Sequence, residues 1–407
     1  MRIKSCRNCF SRKIDKLFSL GNLYFTGKFL KKKLSARKGP ITLIMCKNCK
    51  LVQLGDNFDK NYLYGPDYGY QTGINTTMKH HVKNIVKTLG SLVKIKKNDL
   101  VLDIASNDGT LLNFYNKNII TFGIDPLIKK FKSNYKNINY TVSNFFSVKE
   151  AKKKIFNKKF KIITALSVFY DLDNPNKFLS DVEIILDENG IFLLEFADLA
   201  SIVKLNMFDA FCHEHLEYYS IRVIQQMCKK KNLRIFNIKS NNINGGSVQI
   251  FICKKNAQYR TKYKTIKKFF ILEKKLKLDK KITFINFFKK MNKIKTNLLS
   301  FLLSQKKKDK TIHCYGASTK GNVLLQYFKI DNKIIDYVAE RNAEKYNLFT
   351  PGSKIKIISE KDSRAMHPDY YLVLPWHFKK EILKREKITI KKGSKFIFPL
   401  PRISIST

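Results

Sequence analysis

No stretch of this chain stays apolar for the roughly eighteen residues that a bilayer crossing needs, and its first residues lack the apolar core of a secretory signal. Both absences predict a cytoplasmic chain with no membrane partner. Acid is scarce too: 32 Asp and Glu stand against 79 Lys and Arg, a formal charge of +47. So large an excess usually points to a polyanion. Here it is nearly all Lys, spread through every segment beside many Asn and Ile, which fits A- and T-rich coding better than a groove built of Arg and exposed aromatics. Nucleic acid is therefore not the expected partner, whereas a phosphorylated small molecule is. With 44% hydrophobic residues over 407 positions the chain is not disordered, and it is long enough for two or three domains.

The cysteine pattern of a disulfide scaffold is also missing. Cys212, Cys228, Cys253 and Cys314 are scattered, while Cys6-Arg7-Asn8-Cys9 and Cys46-Lys47-Asn48-Cys49 form two C-x-x-C turns. In a reducing compartment such turns point four thiolates at one tetrahedral ion and close it off with no open position. Cys6, Cys9, Cys46 and Cys49 are the expected ligands of a structural zinc, about one per chain. The pairs lie farther apart than in a minimal ribbon, so a small domain must be wrapped between them.

No G-x-G-x-x-G is present, yet residues 100–112, LVLDIASNDGTLL, turn from a buried strand into a glycine loop. Leu100, Val101, Leu102 and Ile104 suit a central parallel strand, and Asp103 inside it needs a partner. Residues 105–109 form a turn, and 110–115 read as the opening of a helix whose amides face the loop's ligand. Residues 122–125, FGID, are a second strand ending in a carboxylate where open sheets hold ribose hydroxyls. This order resembles the first two motifs of class I S-adenosylmethionine (SAM) methyltransferases. The resemblance implies that Asp103, Asn107 and Gly109, with Ala105 and Ser106, line the methionine end, that Asp125 holds the ribose, and that Asn144 and Leu166 complete the cofactor site.

Elsewhere the chain alternates strand and helix as an α/β protein does. Residues 51–54 precede a tyrosine-rich loop with Tyr62, Tyr64, Tyr68 and Tyr70, which either packs between domains or faces a ligand. A helix is expected over 76–93, strands over 162–166, 190–196 and 248–253, and a helix over 178–186. The segment 169–172, FYDL, follows a strand on the rim where ligands sit. Residues 208–220, FDAFCHEHLEYYS, crowd two histidines around a glutamate. No H-E-x-x-H is formed, and no P-C-x-x-C follows the H-x-E, so metal catalysis is not supported. The alternatives are a structural histidine pair or a general base with Glu214 orienting it, imidazole being neutral and proton-accepting at cellular pH.

Residues 254–310 are lysine-rich, but Phe284, Phe287, Phe288, Met291, Ile294 and Leu298 recur at helical spacing, so a packed helix is expected. A second α/β unit follows: strand 312–315, small-residue loop 316–321, helix 322–328, then strands over 334–338, 370–374 and 396–398. Lys320 precedes Gly321, which departs from a Walker A loop and removes support for ATP hydrolysis. The loop amides and Lys320 can still hold a diphosphate.

The segments CRNC with CKNCKLVQL, DYGYQTG, VLDIASNDGTLL, FYDLDNP, CHEHLEYYS, NGGS, YGASTKGNVLLQY, TPGSKIKIISE and PDYYLVLPWHF run in an order similar to that of three-domain sugar C-methyltransferases acting on nucleotide-activated keto-deoxysugars. The resemblance spans essentially the whole chain. It implies an α/β fold with a class I methyltransferase Rossmann-like sheet, flanked by a small N-terminal zinc-binding substrate domain (1–72) and a C-terminal Rossmann-like domain behind a helical linker (256–407), with the SAM domain over 73–255. His215 would be the base, Glu214 its partner, and Tyr68 or Tyr70 would lie near the sugar. Tyr170, His213, Asn244, Ser318 and Lys320 would bind substrate. Members of the antibiotic-sugar type carry Tyr before the HEH, where this chain has Cys212, and His near Phe169 and Tyr170. The competing expectation is SAM-dependent methylation of O or N on another substrate, RNA included. A monomer or homodimer is expected.

Overall fold

Leu100–Ile104 is a strand with every side chain buried, because parallel strands flank it on both sides: Phe160–Leu166 and Ile120–Ile124. It lies inside a seven-stranded sheet in the order Leu233–Asn241, Ser247–Lys254, Leu186–Phe196, Phe160–Leu166, Leu100–Ile104, Ile120–Ile124, Tyr140–Val142. Strand Ser247–Lys254 runs antiparallel to its neighbours and the others in the run are parallel. The computed structural model describes residues 1–31, 37–65 and 68–406; Pro66 and Asp67 of the tyrosine loop lie outside them.

Alternation along the strands divides the sheet into two faces. On one, Val101, Ile162, Leu193 and Phe251 pack against Val82, Ile85 and Leu89 of helix Thr76–Leu92. On the other, Leu102, Ile163 and Leu194 meet Phe178, Leu179 and Val182 of helix Pro175–Ile185. Asp103 pairs in register with Thr164, and Leu166 with Glu195. These four side chains therefore form a row at the carboxyl ends of the strands, on the face that helix Thr76–Leu92 covers.

The helix expected over 110–115 is reduced to one 3-10 turn, Leu112–Phe114. Asp108 captures the Thr110 amide (3.2 Å) and hydroxyl (2.6 Å), and such local side-chain bonds compete with helix formation. Helix Thr319–Phe328 instead starts earlier than expected, because the Ser318 hydroxyl accepts from the Gly321 amide at 3.0 Å and caps it. The lysine-rich segment is two helices, Tyr263–Lys275 and Lys281–Lys306; the second buries Phe284, Phe287, Met291 and Leu298.

The wrapping expected between the C-x-x-C turns is a pair of long antiparallel strands, Ile14–Tyr24 and Lys38–Cys46. They head a four-stranded sheet completed by Val52–Leu54 and, from far along the chain, Glu217–Tyr218. A six-stranded sheet closes the molecule, in the order Lys356–Ser359, Tyr337–Glu340, Ile312–Tyr315, Tyr370–Val373, Lys395–Phe398, Ser404–Ser406, its last strand antiparallel. The strand expected over 334–338 begins only at Tyr337, since the Ile334 and Ile335 amides close a turn on the Asp331 carbonyl. One apolar core joins this sheet to the N-terminal strands through helix Lys281–Lys306.

Candidate active site

The glycine loop is held in a strained shape. Ala105 (φ 57°) and Asn107 (φ 52°) adopt the left-handed region that non-glycine residues avoid, and Gly109 (φ 73°) follows. Asp103, 4% exposed, accepts from the Thr164 hydroxyl at 2.6 Å. Burial pushes its carboxyl up to about 7, against the Thr164 bond and helped by Asp125 and Asp108 nearby. Asp125 spends one lone pair of each oxygen on a backbone amide, Leu127 at 2.7 Å and Asn107 at 2.9 Å, and burial raises it to about 6. Two buried carboxyls with little positive charge near them suit a cationic ligand with hydroxyls. The residues present thus fit SAM.

Other members of the expected cofactor set are engaged in holding the loop. The Ser106 hydroxyl donates to Tyr135, which donates to the Asn107 carbonyl at 2.9 Å. The Asn107 side chain accepts from the Thr72 amide (2.9 Å) and donates to the Tyr70 carbonyl (3.1 Å), while the Gly73 amide donates to Asp108 at 2.7 Å. Residues 70–73 therefore lie directly on the glycine loop. Asn144 is exposed past the end of strand Tyr140–Val142, its side chain accepting from the Phe145 amide.

A recess opens beside the end of strand Leu186–Phe196 and brings together His215, Tyr170, Asn244 and Lys320, with Ala197, Ala210, Glu217 and Tyr218 in its walls. The His215 and Tyr170 rings lie 4.3 Å apart. His215 Nδ1 sits 2.8 Å from the Ala210 carbonyl, which can only accept, so Nδ1 carries the hydrogen and Nε2 keeps its lone pair. Burial first, and then the Lys320 charge, pull its imidazolium down to about 3, so the ring is neutral. The Lys320 ammonium donates to the Asn244 carbonyl at 3.2 Å. Here the N-terminal sheet, the central sheet and the C-terminal sheet meet.

Three expected roles meet different surroundings. Glu214 does not orient His215: its oxygens accept from the Thr26 hydroxyl (3.1 Å) and the Gly27 amide (3.0 Å). His213 is fully buried, wedged edge-on between Phe25 and Phe58, and donates to the Gly39 carbonyl at 3.0 Å, which makes it a core histidine and no part of the recess. Ser318 is the helix cap described above. Tyr68 lies within electrostatic reach of Asp171, Glu214 and Tyr170, and burial raises its hydroxyl well above the usual range. Tyr70 is 44% exposed over the glycine loop.

Two polar features went unread in the sequence. Glu195 accepts from His81 Nε2 at 2.7 Å, Gln249 at 2.7 Å and Asn241 at 3.2 Å. This histidine and carboxylate pair lies in the row that starts at Asp103. Its signal was there, a lone acid ending the apolar run 190–196 as Asp103 interrupts 100–104. Glu217 is the other, a fully buried carboxyl whose pKa burial raises well above the usual range.

The four sulfurs of Cys6, Cys9, Cys46 and Cys49 lie within 4.8 Å of one another, with Cys6 to Cys49 at 3.6 Å and Cys9 to Cys46 at 3.5 Å. A tetrahedral zinc with 2.3 Å bonds sets its sulfurs about 3.8 Å apart, so the cluster fits zinc closely.

Comparison with known proteins gives a consistent pattern. Residues 6–64 match a family profile described as a zinc binding domain, 75–237 a methyltransferase domain, and 242–401 a C-methyltransferase C-terminal domain. The C-methyltransferase NovU of Streptomyces niveus is 23% identical over 366 residues, which are 89% of this chain and 86% of that protein. Among solved structures, a SAM-dependent methyltransferase of Clostridium acetobutylicum ATCC 824 is similar at 13% identity and TM-score 0.34, over 42% of this chain and 90% of its own. Magnesium protoporphyrin IX methyltransferase of Synechocystis PCC 6803, solved with bound SAH, is 15% identical at TM-score 0.34 over 46% and 90%.

Proposed function

We propose that the chain, whose three parts match a zinc binding domain, a methyltransferase domain and a C-methyltransferase C-terminal domain, is a SAM-dependent C-methyltransferase that methylates the carbon beside the ketone of a nucleotide-activated deoxysugar, with His215 as general base. The observation that carries this reading is the recess that gathers His215, Tyr170, Asn244 and Lys320 from two distant parts of the chain. We divide the chain accordingly, at 72/73 and 255/256, with the first and last parts holding the sugar nucleotide.

A C–H beside a ketone is a weak acid, so its removal needs a base and a donor for the enolate oxygen. His215 Nε2, bare because Nδ1 is bound to Ala210, takes the proton. Lys320 is the cation that an enolate or a diphosphate would meet. Burial is the larger cause of the depressed imidazolium; pairing of such an anion with Lys320 relieves the second, the repulsion by its ammonium, and raises the base's proton affinity in that measure. The Tyr170 ring packs against the imidazole at 4.3 Å, and Tyr68 or Tyr70 borders the sugar. Bound SAM supplies a methyl group made electrophilic by its sulfonium. Asp103 and Asp125 would hold it, and Cys6, Cys9, Cys46 and Cys49 would hold a structural zinc.

The test is to incubate the protein with methyl-labelled SAM and a panel of nucleotide keto-deoxysugars and to locate the methyl by NMR. Label on an oxygen, a nitrogen or RNA would overturn the substrate reading. His215→Ala should lose methyl transfer and, in heavy water with SAH, deuterium uptake at the same carbon, while SAH affinity stays within about twofold. Undiminished turnover in that variant would remove His215 from the role. In that event His81, with Glu195 at 2.7 Å, is the imidazole to test next.

A further inference from the structure

We infer that Glu217 is a recognition carboxylate for a hydroxyl or amino donor on the sugar part of the substrate, a role that rests on the sugar reading above. Its side chain is completely buried yet lines the recess with His215, Tyr170 and Lys320. Neither Oε1 nor Oε2 has a hydrogen-bond partner among the described residues. A buried carboxyl without donors is costly, and proteins keep one where something else completes it.

The cation beside it explains why the lone pairs remain free. Arg7 Nε lies 3.5 Å from Glu217 Oε1, near enough to offset charge and too far for a sound hydrogen bond. The guanidinium donates elsewhere: to the Leu54 carbonyl at 2.7 Å, the Asp56 carbonyl at 2.9 Å, Gln53 Oε1 at 3.3 Å and the Asn57 side chain. Arg7 is itself fixed within the first C-x-x-C turn, where its carbonyl and that of Asn8 accept from Asn176. The backbone of Glu217 is pinned as well, opposite Gln53 across the strand pair. A rigid strand thus holds a fully buried carboxyl without a hydrogen-bond partner among the described residues in the wall of the recess, with Arg7 the nearest cation.

The chemistry of the missing partner follows from the neighbours. Among the described residues Arg7 is the one cation acting on Glu217, against Asp171, Asp173 and Cys6, and its guanidinium donors are already engaged, so a neutral or cationic donor suits the carboxyl better than a phosphate. Lys320, on the same recess, is the group for the anionic part. The sugar's hydroxyl or amino group would then face Glu217 while its activated end faces Lys320.

The experiment is calorimetry on SAH-saturated full-length protein. The titrants are thymidine-, uridine-, guanosine- and cytidine-diphosphate keto-deoxysugars and the matching nucleoside diphosphates alone. Glu217→Met removes the acceptors, and Glu217→Gln keeps the shape and one oxygen. For the sugar nucleotide that wild type binds, Glu217→Met should lose about ten- to a hundredfold in affinity and Glu217→Gln less. The nucleoside diphosphate and SAH should bind both variants within about twofold of wild type. An unchanged sugar nucleotide, or equal losses for sugar nucleotide and bare diphosphate, would overturn the inference. If wild type binds no sugar nucleotide more tightly than its bare diphosphate, the sugar reading falls, and the role of Glu217 with it.

Discussion

Asp103 shows how much of the chemistry is carried by single side chains. Among the described residues its one hydrogen-bond donor is a neutral hydroxyl, Thr164, and burial pushes the carboxyl up to about 7, so close to neutral pH it is divided between its two forms. A sulfonium selects the ionised one. With SAM placed beside Asp103 as proposed, protonation of this raised carboxyl competes with the cofactor below about pH 7 and ceases to do so above it. SAM affinity should therefore rise from pH 6 to pH 8, approaching tenfold per unit on the acid side, while neutral SAH changes less. Asp103→Asn should flatten the SAM profile and weaken binding about tenfold or more; calorimetry at pH 6, 7 and 8 measures both. A pH-independent wild type would separate Asp103 from the cofactor's charge. This carboxylate was legible in the sequence because an apolar run frames it. The surroundings of Glu214 were not: its donors Thr26 and Gly27 lie nearly two hundred positions earlier, and local spacing carries no trace of such a contact.

At the scale of elements, the central sheet was readable because parallel strands buried on both faces are nearly continuous in their apolar residues. The strand Ile14–Tyr24 was not, since register shifts between Lys16 and Phe18 and between Ser19 and Gly21 break the two-residue alternation that would announce it. Nor could spacing reveal that residues 70–73 clasp the glycine loop. Gly73 is the tightest point of that clasp: a Cβ there would lie 2.7 Å from Asp108 Oδ2 and 2.8 Å from the Thr110 hydroxyl. Gly73→Ala should push the segment off the loop and free Asn107 and Asp108 from their bonds to Thr72 and Gly73. We expect SAH affinity to fall about tenfold, with faster proteolysis around residues 64–75. Wild-type affinity in Gly73→Ala would mean that the clasp does not support the cofactor loop.

The whole molecule makes the zinc site a test of how its parts depend on one another. Cys6 and Cys46 are packed into the core on one face of the central sheet, and Asn176 ties Arg7 and Asn8 to the helix on that face. The sheet that follows the cysteines takes its last strand from Glu217–Tyr218, directly after His215, and Tyr24 and Thr26 are bonded to Gln326 and Asn322 of the C-terminal unit. Loss of the metal should therefore reach the recess from two sides. The opposite face of the central sheet, where helix Thr76–Leu92 and Asp103 lie, contains no cysteine of the cluster. Cys9→Ser, or chelation, should remove about one zinc per chain, lower the unfolding midpoint by several degrees and abolish methyl transfer. SAH affinity should stay within a few-fold, because the face on which we propose the cofactor binds holds its own core. Metal analysis, thermal unfolding and calorimetry on one preparation separate the cases. If SAH affinity fell in step with zinc content, the cluster would belong to the cofactor site; if methyl transfer survived without zinc, the strand after His215 would hold its place unaided.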